Sequence, residues 1–380
     1  MDATVHPVRF VSPRSGDTSL ADRLRRNVDA EVLFDKASRG RYATDASIYQ
    51  VEPIGVIVPR SEQAVRAAFA IAAEEGVPVL PRGAGSSQCG QTVGAALVID
   101  GSKYLNGLVE LDVAARRAVV QPGLVLDALN AKLRPHGLWF PVDVSTSAQA
   151  TLGGMAGNNS CGSRSIAYGN MVHNVAGASA WLSDGELVDF GPVSALGARA
   201  SDIALHVRQL AKQHASEIAE RWPKVMRRVA GYNLDIFDNQ SEKPYTNDGS
   251  VNLAHLLIGA EGTLAYTRSL TLKLAELPRA KVLGIVNFPS FHAAMDAAQH
   301  IVKLGPTAVE LVDRTMIELS LANPAFKSTV ETALIGRPAA ILLVEFSGSE
   351  KARLLPKLKD LADLMGELGL PGSVVQMPED

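Results

Sequence analysis

The sequence predicts an α+β fold with more than one domain, and three observations carry that prediction. Residues 54–80 read as strand, helix and strand. Two glycine-rich stretches, PRGAGSS (81–87) and ATLGGMAGNNSCGSRSIAYGN (150–170), interrupt a series of short strands and hairpins. From about residue 279 the pattern changes to strands alternating with helices, which need a core of their own. At 380 residues, 47% hydrophobic and 20% charged, the chain is long enough for two or three domains.

After a polar N-terminal tail, IGVIVP (54–59) is a buried strand. It runs into SEQAVRAAFAIAAEEG, where Val65, Ala68, Phe69 and Ala72 recur at helical spacing, Ser61 caps the start and Gly76 stops the helix. VPVL (77–80) closes a βαβ unit whose strands are expected to pair in parallel. Beyond the first glycine loop come the strand ALVID, the hairpin LVELDVAARRAVVQ and a helix through LVLDALNAKLRPHG. After the second glycine-rich stretch, AGASAWLSDGELVDFG is a hairpin turning at Asp184-Gly185, a strong short-range turn signal. A helix over roughly 201–220 and a polar loop lead to LLIGAEGTLAYTRSLTLKL, where a buried strand and an alternating one flank Gly259 to Gly262. The later part reads as strand KVLGIVNF, a helix with Phe291, Met295, Ala298 and Val302 on one face, strands TAVELVD and AAILLVEFSG, and helix SEKARLLPKLKDLADLMGELG. PGSVVQMPED begins a further strand.

Composition excludes several function classes. A net charge of -3 and 5% aromatics provide no basic field for nucleic acid or an anionic membrane. No apolar run approaches the roughly 18 residues of a membrane span, and the start lacks a signal-peptide pattern, so the cytoplasm is the expected address. Cys89 and Cys161 cannot make a disulfide framework, and the eight histidines are scattered, so no metal site is expected.

Ordering so many glycines is costly, which points to backbone that must turn sharply or lie close against something. PRGAGSS follows a strand, as a phosphate loop should. A nicotinamide-type dinucleotide motif fails because Gln88 stands where the third glycine belongs, and a Walker loop fails because no Gly-Lys-Ser/Thr follows. Two readings stay open on the local pattern. Either the amides of Gly83 to Ser87 form a nest for phosphate oxygens, with Ser86 and Ser87 hydroxyls as further donors, or PRGAG is a tight strand-ending turn. The second stretch offers another row of accessible amides with the side chains of Asn158, Asn159, Ser160 and Ser163, and two such loops suit an extended cofactor with phosphates and polar rings. A nucleophile elbow is excluded, since Asn158 stands where it needs glycine.

Taken in order and spacing, RYATDASIY (41–49), VIVPRSEQAV, PRGAGSS, VQPG (120–123), FPVDVSTSAQATLGGMAGNNSCGSRSIAYG and GAEGTLAYTRSLTLKL resemble the flavin dehydrogenases with the FAD-binding fold of p-cresol methylhydroxylase and vanillyl-alcohol oxidase. Within that fold the resemblance is to the D-lactate, glycolate and D-2-hydroxyglutarate dehydrogenases, over roughly residues 40–380. NNSCGSRSIAYGNMVHNV is most similar to long bacterial members that carry an iron-sulfur segment after the flavin part. The resemblance implies an N-terminal segment (1–44), a two-lobed FAD-binding domain (45–275) and a partial α+β substrate, or cap, domain (276–380).

It also implies non-covalent FAD, because residues 81–91 contain no histidine for a tether. The diphosphate would lie against Arg82, Gly83, Ala84, Gly85, Ser86 and Ser87, with Gln91 assisting. The ring and ribityl chain would run along Gly153, Gly154, Ala156, Asn159, Ser160 and Gly162, with Tyr168 and Gly169 nearby and the glycines leaving volume for the cofactor. Pro141 and Asp143 match a turn beside the adenine and diphosphate, and Gly259, Glu261 and Gly262 match a segment close to the cofactor. The implied reaction is oxidation of a D-2-hydroxy acid to the 2-oxo acid. Its electrons pass to a non-nicotinamide acceptor: an iron-sulfur segment, a quinone or a cytochrome.

The chain departs from this group in lacking its C-terminal His-x-Gly-Asp-Gly-Asn-x-His run and the iron-sulfur cysteines, so it reads as the N-terminal part of a longer protein. No catalytic residue is assigned. Arg228 and Tyr232 are candidates for clamp and base, set against an exposed helix-end arginine and a packed tyrosine; Glu310 and Asp313 beside Arg314 read as a surface ion pair. The rival functions are a non-catalytic FAD-binding module and a reductase fed by NADPH.

Overall fold

The computed structural model describes residues 9–11, 14–225, 227–229, 231–237, 246 and 250–378. Two units separate: Met1–Ser160 with Asn170–Ala275, and Cys161–Gly169 with Glu276–Asp380.

The first unit has two lobes. In the first, β1 (Arg9–Val11) is followed by α1 (Thr18–Asn27), whose start is capped by the Asp17 carboxylate accepting from Leu20 N at 3.1 Å and which buries Leu20, Ala21 and Leu24. The described part of the N-terminal segment is therefore no polar tail: its amphipathic helix packs into the lobe, and β2 (Ala30–Leu33) joins the sheet antiparallel to β4. Next come α2 (Lys36–Tyr42), β3 (Gln50–Glu52), which pairs with β1, and β4 (Gly55–Pro59). Then follow α3 (Glu62–Glu74), β5 (Val79–Arg82) and β6 (Leu97–Asp100). Ser61 caps α3 by accepting from Ala64 N at 3.2 Å, and Gly76, at φ 62°, turns the chain out of it. The sheet order is β2-β4-β6-β5. Thus β4 and β5 do not pair with each other as expected; each pairs in parallel with β6. The reason is burial. LVID of β6 is buried at every residue and takes an interior position, whereas β5 is only half-buried and forms the edge.

The second lobe holds the hairpin β7 (Leu108–Asp112) and β8 (Arg117–Val120), then α4 (Leu126–Leu133), β9 (Leu138–Trp139) and α5 (Leu152–Asn158). The chain leaves this unit through α6 (Ser165–Tyr168) and returns with α7 (Met171–Asn174), β10 (Val175–Trp181) and β11 (Leu187–Phe190), the last two paired antiparallel around Gly185 at φ 82°. The helix expected over 201–220 is two helices, α8 (Ala198–Gln213) and α9 (Ala215–Arg221), broken at His214, whose ψ of 18° leaves the helical range. The polar loop after it falls mostly outside the described residues. Where LLI was expected to start a strand, Leu253–Leu256 forms a short 3₁₀ turn, because the Asn252 side chain accepts from Ala254 N at 2.9 Å and starts a helix there. With β12 (Tyr266–Lys273), the five strands lie in the order β11-β10-β12-β8-β7 around a core that includes Leu126, Leu129, Phe140 and Met171. Each such side chain contributes about 1.5–3 kcal/mol.

In the second unit, after β13 (Ala275–Glu276) at the junction, the elements are β14 (Ala280–Phe288), α10 (Phe291–Ile301), β15 (Ala308–Asp313), α11 (Arg314–Ala322), α12 (Pro324–Ala333), β16 (Ala340–Gly348), α13 (Lys351–Glu367) and β17 (Val374–Met377). The sheet is antiparallel, ordered β15-β16-β14-β17. Helix α10 buries Ala294, Ala297 and Ile301, while Phe291 and Met295, expected on the core face, are half-exposed. Small side chains let the helix sit close on its sheet. Asp313 does not pair with Arg314. It caps α11 by accepting from Met316 N at 2.9 Å, and Arg314 donates to the Arg337 carbonyl at 3.3 Å. In the segment that this unit draws from the second glycine-rich stretch, Arg164 forms a two-pronged pair with Glu345 of β16, at 2.8 and 2.6 Å.

Candidate functional site

A cleft lies within the first unit. Four pieces of backbone wall it: the end of β5 with its loop, the turn at Pro122 and Gly123, the face of α5 bearing Gly153, Gly154 and Gly157, and the segment from Leu257 to Thr267.

The loop after β5 presents its amides without using them. Among the described residues, the N–H groups of Ala84, Gly85, Ser86 and Ser87 have no acceptor; the Gly85 carbonyl accepts from Ala46 N at 3.1 Å. Such a row of unpaired, accessible N–H groups is an anion cradle. Arg82, expected beside the diphosphate, lines the cleft, and its guanidinium is tied to carbonyls of neighbouring segments. Its Nη1 donates to the Thr92 carbonyl at 2.7 Å and, at 3.5 Å, to that of Tyr42, while Nη2 donates to the Thr44 carbonyl at 2.9 Å. Burial lowers its pKa from the ordinary arginine value.

The second glycine-rich stretch is not the open row of amides that its composition suggested. Thr151 caps α5, its Oγ1 accepting from Gly154 N at 3.4 Å; Leu152 N and Gly153 N donate to the Leu124 and Pro122 carbonyls at 2.9 and 2.8 Å. The amides are consumed by the helix and its entry. The glycines divide into two kinds. A Cβ on Gly83 would lie 2.3 Å from Thr151 Oγ1, on Gly85 2.2 Å from Arg82 Nη2, and on Gly153 2.6 Å from Pro122 Cβ, so these three are required by the protein's own packing. At Gly157 nothing is nearer than 3.6 Å, and at Gly154 only Thr151 Oγ1 comes within 4 Å, at 3.2 Å. Those two line the cleft and meet no atom as close as the first three do.

Ala156, Asn159 and Ser160, expected as flavin contacts, are buried in the unit's own structure. Asn159 ends α5 in the left-handed conformation (φ 50°); its Nδ2 donates to the Arg228 carbonyl at 3.1 Å and its Oδ1 accepts from Val172 N at 3.0 Å. Ser160 Oγ accepts from Asn158 Nδ2 at 2.9 Å. Pro141 is buried and Asp143 half-buried, and neither lines the cleft. Gly162, Tyr168 and Gly169 belong to the other unit. Gln91, Glu261 and Gly262 do line the cleft. Glu261 sits at its rim with φ 52°, unusual for a residue with a side chain, and its amide donates to the Gly157 carbonyl at 3.0 Å. Desolvation holds its carboxyl above the ordinary carboxylate range, partly offset by a hydrogen bond from Gln91.

The two side chains considered for catalysis exchange the environments expected of them. Arg228 is mostly covered and makes a 2.6 Å ion pair with the buried Asp235, whereas Tyr232 is half-exposed with its hydroxyl 2.9 Å from Thr263 Oγ1. Sequence reasoning missed Thr151, Gly157, Thr92 and Tyr266 as elements of the cleft wall. Thr151 had a signal, a capping threonine directly before a helical run. The cysteines are free, Cys89 exposed and Cys161 half-buried.

The family described as the FAD binding domain matches residues 53–191, and that described as the C-terminal domain of FAD linked oxidases matches 277–380. The chain is 30% identical over 365 residues to the D-2-hydroxyglutarate dehydrogenase of Haemophilus influenzae, covering 92% of this chain and 35% of that protein. It is 31% identical over 364 residues to the Pseudomonas putida enzyme of the same name, covering 92% and 36%. A probable mitochondrial D-lactate dehydrogenase of Danio rerio is 29% identical over 370 residues, covering 91% and 62%. The chain thus spans about a third of the length of the bacterial relatives. Among solved structures, an alkyldihydroxyacetonephosphate synthase shares the fold, with a TM-score of 0.67 at 18% identity over 94% of this chain and 61% of that one.

Proposed function

We propose, from the premise that this chain belongs to the FAD-binding flavoproteins of the p-cresol methylhydroxylase type, that it oxidises a D-2-hydroxy acid of the D-lactate or D-2-hydroxyglutarate class to the 2-oxo acid. FAD is its cofactor. The observation that carries the reading is a cleft walled by Gly83, which opens the glycine loop, and by the α5 face bearing Gly154 and Gly157, with the unbonded amides of Ala84 to Ser87 following Gly83 in the same loop. Those amides hold the phosphate oxygens, and the Ser86 and Ser87 hydroxyls add donors. The α5 face admits a flat ring, and Gln91 and Glu261 provide polar contacts at the rim. We assign Gly83, Gly153 and Gly262 to the cofactor wall, Pro141 and Asp143 to its adenine side, and Gly162, Tyr168 and Gly169 to the flavin. Ala156, Asn159 and Ser160 support that wall from within.

Bound FAD supplies the acceptor for the hydride equivalent that leaves the substrate's C2. The chain's contribution is to orient the cofactor and exclude water from it, while the base and carboxylate clamp stay unassigned. Residues 45–275 form the FAD-binding domain and 276–380 the substrate domain in this reading. The electron acceptor is a non-nicotinamide one, an iron-sulfur segment, quinone or cytochrome. Among the described residues no helix is long and apolar enough to cross a membrane, and we propose the cytoplasm as the compartment.

The test is spectroscopic. The purified chain should carry the yellow flavin absorption and lose it anaerobically on addition of D-lactate or D-2-hydroxyglutarate. A yellow protein that no hydroxy acid bleaches would be a binding module instead, and bleaching by NADPH alone would make it a reductase.

A further inference from the structure

The segment RYATDASIY (41–49) has no part in the proposed reaction, yet the structure laces it to the first glycine-rich loop at four points. Arg82 Nη2 donates to the Thr44 carbonyl at 2.9 Å, Ala46 N to the Gly85 carbonyl at 3.1 Å, and Thr92 Oγ1 to Asp45 Oδ2 at 2.9 Å. The Tyr49 ring fills the space beside Gly90, where a Cβ would lie 2.5 Å from its Cδ2. Because Arg82 Nη1 also donates to the Thr92 carbonyl at 2.7 Å, one guanidinium joins the strap to the far end of the loop from the near end. Asp45 is itself held: burial pushes its carboxyl up, but hydrogen bonds from Ser47 and Thr92 outweigh that and keep it low, with Ser47 N at 2.8 Å from Oδ1. Gly85 packs so closely on the guanidinium that no side chain fits between them.

We propose that residues 42–49 are a clasp that pre-forms the amide loop for a diphosphate, with Arg82 and Asp45 as its positioning residues and no ion pair between Arg82 and the phosphates. The inference rests on the FAD reading above. The clasp draws the two ends of the loop together through side chains and leaves the amides of Ala84 to Ser87 unbonded, so the ordering of the loop is complete before the ligand arrives. A planar fork of donors is needed to reach carbonyls on different segments, and a lysine cannot do this.

The test titrates FAD, and separately riboflavin, into the full chain and its variants Arg82→Lys, Arg82→Met and Asp45→Ala, with the melting temperature of the apo-chain as a control. Arg82→Lys should weaken FAD binding about as much as Arg82→Met, by about 10- to 100-fold, the range expected for loss of charge-assisted hydrogen bonds. The salt dependence of FAD binding should be unchanged in both, riboflavin affinity should be unaltered, and Asp45→Ala with Arg82→Met should cost less together than the sum of the two. If Arg82→Lys binds like wild type while Arg82→Met loses both affinity and salt dependence, Arg82 is an ion partner and the clasp is overturned. Wild-type affinity in Asp45→Ala, or an equal loss of riboflavin, also overturns it. A wild-type chain that binds no FAD removes the underlying functional reading as well.

Discussion

Gly83 lies against Thr151 so tightly that a Cβ on the glycine would fall 2.3 Å from the threonine Oγ1. The same hydroxyl caps α5. Two stretches 68 residues apart in sequence, each rich in glycine for its own reason, are thereby held as one wall of the cleft.

Gly83→Ala should therefore destabilise the chain by about 1–3 kcal/mol through overpacking. Thr151→Ala alone should cost about 1 kcal/mol through loss of the cap. The double variant should cost clearly less than the sum, because removing Oγ1 makes room for the new methyl. Denaturant unfolding of the four proteins measures this, and strict additivity would argue against the contact.

Gly157→Ala should behave in the opposite sense. Its Cβ would meet nothing nearer than 3.6 Å, so the apo-chain should gain about 0.5–1 kcal/mol from the better helix former. FAD affinity should nevertheless fall, since the methyl enters the cleft. Calorimetric melting together with flavin titration reports both; tighter FAD binding in this variant would contradict the wall assignment.

The pair of Arg228 and the buried Asp235, 2.6 Å apart, should be costly to break from either side. Arg228→Met should destabilise by about 3–5 kcal/mol, because the carboxylate loses a charged partner in a site with little water. A loss under 1 kcal/mol in denaturant unfolding would mean that the pair is solvated in solution.

His255 is 1% exposed, and burial, reinforced by Lys273 and His173, lowers its pKa to about 4. The unfolded chain takes up this proton near the ordinary histidine value of about 6.5, so it binds more protons than the fold between that value and about 4. Stability should fall as pH drops through this window, by about 3 kcal/mol, and show no further contribution from this residue below it. His255→Gln should flatten the pH dependence of unfolding between pH 6.5 and 4, and an unchanged slope would assign the effect elsewhere.

How much of this was legible in the sequence depended on the range of the interaction. The helix from Glu62, its Ser61 cap and the Asp184-Gly185 hairpin all follow from contacts within a few residues, and all appear as read. The insertion of β6 between β4 and β5, and the Asn252 cap that replaced a strand, did not. Each depends on which segment offers the better burial or hydrogen bond once the chain is compact.

By itself the sequence determined that this chain keeps two glycine-rich stretches for close backbone approach, and that their order matches an FAD-binding architecture. Only the tertiary structure decided which glycines do what. Gly83, Gly85 and Gly153 make room for Thr151, Arg82 and Pro122, while Gly154 and Gly157 lie on the cleft wall with no atom so close. A glycine states only that a side chain is absent; whether protein or ligand takes the vacated volume is settled by the atoms that folding brings opposite it.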